Sequence, residues 1–131
     1  MKKAVVVGGS NGIGLAIVNQ LLSDGYWVNI LDLEAPAIEN LTKKDAHTFY
    51  FCNLLEFDEN LFHQLSTDSD TEVLMITAGI GRVADFEYLH CAEIDKLIQI
   101  NTLGSIKIVR HFYERIKSNS RFYCGLMGSI A

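Results

Sequence analysis

Gly8, Gly12 and Gly14 stand in a G-x-x-x-G-x-G spacing within Val7-Gly8-Gly9-Ser10-Asn11-Gly12-Ile13-Gly14, and Asp32 follows eighteen residues after the last of them. Glycines so spaced let a backbone close tightly round a pyrophosphate, whose charge then meets the unpaired N–H groups and positive end of a helix. A carboxylate further along can accept hydrogen bonds from a ribose. The chemistry these residues suit is the binding of a nicotinamide dinucleotide. Gly8 would allow the tight turn, Gly12 close approach of the pyrophosphate, and Gly14 close packing of helix on strand. Ser10, Asn11 and Ile13 complete the loop. At the end of the next strand Asp32 would accept both ribose hydroxyls and repel a 2′-phosphate. Neither Ser10 nor Asn11 brings a cation to welcome that phosphate, so the pattern favours NAD over NADP. The competing role for Asp32 is a cap on the turn before Pro36.

The elements that must position these residues are legible in the apolar spacing. Ala4-Val5-Val6-Val7 is a continuous run, the mark of a strand covered on both faces. Ile13, Ala16, Ile17 and Leu21 follow at helical spacing, with Gly25 as the stop. A second strand runs from Tyr26 to Leu31. Pro36 opens a short helix through Leu41 to about Lys44, proline being tolerated in a first turn. His47 to Cys52 is a third strand, Phe57, Leu61 and Leu65 carry a helix, and Val73 to Thr77 form a fourth strand closed by Ala78-Gly79-Ile80-Gly81. From about His90 to Lys117 the chain is helical, with Asn101 at a junction between two helices. Arg121 to Met127 is a fifth strand. Strands alternating with helices imply right-handed crossovers and a five-stranded, doubly wound parallel α/β sheet of the Rossmann type, in one domain spanning residues 1–131.

Composition narrows the class. The 131 residues are 49% hydrophobic with a formal net charge of −5, which suits a buried core and argues against nucleic acid as a partner. Three widely spaced cysteines without a C-x-x-C read as reduced thiols. His47, His63, His90 and His111 fall in no metal-ligand spacing. Neither a leader-like segment nor an apolar run of membrane length is present, and the expectation is a cytoplasmic protein with no membrane partner.

Together these residues resemble the N-terminal half of a short-chain dehydrogenase/reductase of the classical type. The glycine turn is similar to that family's T-G-x-x-x-G-x-G, with Val7 in place of the threonine. Asn53 and Leu54 stand where the family has its acidic adenine-contacting pair, and the Asn53 amide can still donate to an adenine ring. Thr77-Ala78-Gly79 matches the N-A-G motif after strand four, with Thr77 for an asparagine that supports the central sheet, so the resemblance implies a local loss of stability there. Asn101 matches the asparagine of the family's catalytic tetrad. Ser129 matches its serine, which in the family hydrogen-bonds the substrate carbonyl and orients the catalytic tyrosine. The implied activity is hydride transfer between NAD(P) and a small alcohol or carbonyl substrate, with the glycine turn, Asp32, Asn53, Leu54, Ala78 and Gly79 around the cofactor.

The family's Tyr-x-x-x-Lys pair follows the serine, and no residue here follows Ala131. Tyr113-Glu114-Arg115-Ile116-Lys117 has the right spacing, yet lies along a helix leading away from the ligand-binding end of the sheet. Tyr113 and Lys117 would stand about 18–24 Å from that end at the helical rise. Two function readings follow. The chain is the cofactor-binding part of an oxidoreductase, truncated relative to the family and inactive alone, or it is a non-catalytic nucleotide-binding module or partner subunit. A different Rossmann protein, in which Ser129 is dispensable, is a third. Truncation would leave strand five as an open edge and deprive the helix over 103–116 of a neighbour, so the expectation is a homo-oligomer formed through both.

Overall fold

Ala4 to Val7 are uniformly apolar because they have no solvent face. They lie in β1, Lys3–Val7, which is buried along all four and pairs on both sides, with β2 (Trp27–Asp32) and with β4 (Thr71–Ile76). Outside these, β3 (His47–Phe51) pairs with β2 and β5 (Tyr123–Leu126) with β4. Every pairing is parallel, and the order is β3-β2-β1-β4-β5. The expected doubly wound sheet is therefore present, with its strand order reversing between β1 and β4, where such sheets open a crevice at their carboxyl ends. The computed structural model describes residues 1–81 and 84–128.

Helices cover both faces. On one, α1 (Gly12–Ser23) sets Val18 and Leu22 against Val6, Val28 and Ile30. On the other lie α2 (Glu59–Thr67) and, after α3 (Cys91–Ile98), the long α4 (Ser105–Ser118). Phe62 of α2 and Phe112 of α4 are wholly buried over Val5, Val7, Leu31 and Leu74, each burial contributing about 2 kcal/mol. Gly25 ends α1 as expected, at φ +88, with the Tyr26 N–H donating to the Leu21 carbonyl at 3.0 Å. Asp58 starts α2, its carboxylate accepting from the Leu61 N–H at 3.0 Å, an N-cap bond. No helix among the described residues is long and apolar enough to cross a membrane.

Two expectations about elements are corrected. The helix after Pro36 is a single 3-10 turn, Ile38–Asn40. Ala37 is still extended, and Thr42-Lys43-Lys44 supply no apolar stripe to hold a longer helix against the sheet. The long helical stretch is two α-helices with the expected junction at Asn101. A π-helical segment, Gln99–Gly104, joins α3 to α4 and contains Asn101. Tyr123–Leu126 is also shorter than the strand expected there.

Arg115 of α4 is a clamp on the turn between α2 and β4. Its guanidinium donates to the carbonyls of Asp68 and Thr71, both at 2.6 Å, and to Ser69 at 3.2 Å. At the same corner Lys3 Nζ donates to Asp68 Oδ2 at 2.7 Å, a bond that holds the Asp68 carboxyl below and the Lys3 amine above their ordinary ranges. Thr71 is wholly buried, so removing the guanidinium strands its carbonyl. Arg115→Met is expected to destabilise the fold by about 2–3 kcal/mol in urea unfolding, because hydrogen bonds to a charged group are lost and an acceptor is left unpaired. Arg115→Lys should recover only part of this, since an ammonium cannot reproduce the planar fork.

Candidate functional site

The crevice at the carboxyl ends of β1, β2 and β4 is a cleft of about 250 Å³. Three loops wall it: the glycine turn after β1, Asp32-Leu33 after β2, and Cys52 to Leu54 after β3. The turn Thr77 to Ile80 after β4 closes the fourth side, with Ile100 of the π segment behind it. Strand ends at a topological switch converge there because each crossover helix carries the chain back to the opposite end of the sheet.

The glycines hold their expected places for distinct physical reasons. Gly8 has φ +85, and a Cβ there would lie 2.7 Å from the Ala78 nitrogen. Gly14 packs the start of α1 on the turn so closely that a Cβ would lie 1.9 Å from the Gly8 carbonyl oxygen. Gly12 differs. Its φ is +56, yet nothing lies within 4 Å of the Cβ it lacks. Asn11, at the N-cap position, makes no side-chain capping bond and lines the cleft. Ile13 is 62% exposed at the first turn, and the buried Ser10 hydroxyl has no partner.

Asp32 combines the two roles weighed for it. Oδ2 accepts from the Ser10 N–H at 3.0 Å and Oδ1 from the Leu33 N–H at 2.8 Å. The carboxylate thus ties the glycine turn to β2 and also shapes the turn after it. Each oxygen retains acceptor capacity, since an ionised carboxylate offers about four lone-pair sites. Asn53 is similarly divided. Its Oδ1 accepts from the Leu55 N–H at 3.0 Å, an Asx-type turn, which leaves the amide nitrogen as the group free to donate into the cleft. Leu54 is buried and would touch a Cβ at Gly104, so the adenine-side loop seats directly on the π segment.

Asn101 reaches the fourth wall. Its Oδ1 accepts from the Ile80 N–H at 2.8 Å and its Nδ2 donates to the Ile80 carbonyl at 2.6 Å, while a Cβ at Gly79 would come within 3.2 Å of Oδ1. This two-point bond fixes the Ala78-Gly79-Ile80 turn to the π segment. Ser129 lies outside the described residues. Tyr113 and Lys117 sit near the far end of α4, where Lys117 lies over the Tyr113 ring and pairs with Glu114 at 3.5 Å. They are not brought to the cleft.

Two cleft residues carried no expectation of a site role. Cys52 lines the wall beside Asp32, and burial, with the nearby Asp32 and Asp58 charges, pushes its thiol up to about 11. It is a neutral wall at physiological pH and no nucleophile. Thr77, where the resemblance implies a local loss of stability, keeps a tie to the end of β1: its hydroxyl lies 2.9 Å from the Val7 and 3.0 Å from the Gly8 carbonyl oxygen. Its signal in the sequence was there, a hydroxyl just after β4 beside a Val7 that has none. Among the described residues no three His, Cys, Asp or Glu side chains could hold a metal ion.

Comparison with known proteins bears on this geometry. A family model described as short chain dehydrogenase matches residues 2–121. An uncharacterised oxidoreductase of Saccharomyces cerevisiae, YDL114W, is 24% identical over 119 residues, covering 88% of this chain and 39% of its own length. Among solved structures, a short-chain dehydrogenase from Leptospira borgpetersenii with bound NAD+ superposes with a TM-score of 0.84 at 23% identity, over 98% of this chain and 52% of that one. A metagenomic short-chain oxidoreductase in complex with NADP gives 0.78 at 24% identity, over 99% and 63%. The chain spans less than half the length of the curated relatives it matches.

Proposed function

The chain belongs to the short-chain dehydrogenase family, and from that premise we propose that its cleft binds NAD for hydride exchange with a small alcohol or carbonyl compound. The observation that carries the reading is the opposition of the glycine turn, through Gly8 and Asn11, and Asp32 across one crevice. A turn with left-handed glycines at Gly8 and Gly12 meets a carboxylate with acceptor capacity to spare. The residues fit a dinucleotide: α1 presents unpaired N–H groups to the pyrophosphate, Asp32 accepts from the adenosine ribose, and the Asn53 amide donates to adenine. A dinucleotide bound there would supply or accept the hydride. Asp32 favours NAD over NADP because a 2′-phosphate would meet its charge, with no Lys or Arg among the described residues lining the cleft.

Asn101 acts as a positioning residue through Ile80, and Ser129 is assigned to substrate binding by its match to the family's serine. The tyrosine and lysine of that chemistry are assigned to sequence other than Tyr113 and Lys117, so the 131-residue chain is proposed to bind cofactor without appreciable turnover. Self-association is proposed through α4, where Ile106 and Tyr113 are exposed, and through the outer edge of β5, where Tyr123 and Leu126 are exposed. Light scattering showing a monodisperse monomer at high concentration would remove that part.

The test of the binding claim is a fluorescence titration with NADH and NADPH on the wild-type chain and Gly12→Val. The wild type should saturate with NADH at lower concentration than with NADPH. Gly12→Val should remain folded by circular dichroism and bind neither. A folded wild type that saturates with neither would overturn the proposal.

A further inference from the structure

We infer that the Thr77 hydroxyl is the positioning group that holds the glycine turn in its phosphate-receiving shape, an inference that rests on the dinucleotide reading of the cleft. Thr77 immediately follows β4, at the seam where that strand, the end of β1 and the start of α1 meet. Its hydroxyl oxygen lies 2.9 Å from the Val7 carbonyl oxygen and 3.0 Å from that of Gly8. One hydroxyl carries one hydrogen, so it cannot serve both fully. The Val7 carbonyl already accepts from the Thr77 N–H at 2.8 Å and the Ala78 N–H at 3.1 Å, which fills its two lone pairs. The Gly8 carbonyl is therefore the acceptor that needs the hydroxyl.

That carbonyl governs the turn. Gly8 leaves β1 at φ +85 while its N–H donates to the Leu31 carbonyl at 2.7 Å. The residue is thus held from β2 on its nitrogen side and from β4 on its carbonyl side. Gly14 packs on the same oxygen, since its missing Cβ would lie 1.9 Å from it and 2.7 Å from Thr77 Oγ1. The direction of the Gly8 carbonyl consequently sets where α1 begins, and with it where the N–H groups that face a pyrophosphate point. Val7 is buried and aliphatic, so the donor cannot come from its side chain. The two departures from the family motif, Val7 and Thr77, form one arrangement in which β4 supplies the hydroxyl.

Thr77→Val preserves shape and removes only the donor. NADH affinity of that variant should fall at least about tenfold, a difference of 1.4 kcal/mol. Thr77→Ser should bind within about threefold of wild type, because a serine hydroxyl restores the donor. Binding of adenosine, which has no phosphate, should change less than about twofold when followed by NMR, because Asp32 is also held by the Leu33 N–H and the phosphate contacts are the ones made by the turn itself. Loss of NADH affinity with adenosine binding retained supports the inference. Unchanged NADH affinity in Thr77→Val overturns it, and so does an equal loss for NADH and adenosine, which would mark Thr77 as a merely structural residue. If Thr77→Val does not fold, Thr77→Cys, with its weak S–H donor, replaces it, and equal NADH affinity of the Cys and Ser variants overturns the inference. A folded wild type that binds no NADH refutes the dinucleotide reading itself, a result distinct from all of these.

Discussion

Gly14→Ala is expected to destabilise the chain by about 3 kcal/mol or more, although alanine is the better helix former by about 1 kcal/mol. Helix propensity alone gives the opposite sign, because Gly14 lies inside α1 at a position of ordinary helical backbone. The close contact decides between them. The new methyl would lie 1.9 Å from the Gly8 oxygen, 2.8 Å from the Gly8 carbonyl carbon and 2.7 Å from Thr77 Oγ1. Two of those atoms are backbone held by β1, β2 and β4, and cannot swing aside as a side chain would. Relief therefore requires α1 to lift from the sheet, which opens the contacts of Val18 and Leu22 beneath it. A single domain has about 5–15 kcal/mol of stability to lose, so this is a large share. Gly12→Ala is the control. It meets open space and costs about 1–2 kcal/mol for the left-handed backbone. Urea unfolding of the two variants should rank them clearly, with Gly14→Ala the lower midpoint. The reverse ranking would mean that the turn and helix are not packed as described.

Asp32→Ala should weaken NADH binding by about 100-fold, as expected for losing hydrogen bonds from ribose hydroxyls to a charged acceptor at about 1.5–3 kcal/mol each. NADPH should suffer less, because removing the carboxylate also removes its repulsion of the 2′-phosphate. The same change frees the Ser10 and Leu33 N–H groups, so a lower unfolding midpoint should accompany it. The two effects separate in Asp32→Asn. Its amide oxygen can still take one of these backbone bonds, and its charge is gone. Stability should recover further than NADH affinity. Equal losses for NADH and NADPH across both variants would confine Asp32 to tying loops together.

Much of the frame could be read from local pattern, because local pattern and tertiary demand agree there. The uniformly apolar Ala4 to Val7 and the spacing of Ile13, Ala16, Ile17 and Leu21 place β1 and α1 without reference to the rest of the chain. Gly8, Gly12 and Gly14 follow, since their restrictions are those of a strand-to-helix turn. The π segment was not legible. Apolar residues recur through Ile94, Leu97, Ile98, Leu103 and Ile106 much as in a helix, and what distinguishes the segment is tertiary: Gly104 seats on Leu54 and Asn101 grips Ile80. The role of Arg115 was not legible for the same reason, because a charge on a helix face says nothing of carbonyls brought to it from another turn. Thr77 shows a further limit. Judged at its own position it is a weaker substitute for asparagine, while paired with Val7 it completes the seam.

The account turns on where a dinucleotide binds, and amide-resolved NMR of the nitrogen-15-labelled chain titrated with NAD reads this directly. Saturable shifts are predicted at Gly9 to Leu15, at Leu33, at Asn53 and Leu54, and at Ala78 to Ile80, with the distant groove of Glu59, His63 and His111 silent. A folded chain whose amides do not move, or whose saturable shifts gather in that groove between α2 and α4 while the glycine turn stays fixed, would contradict it.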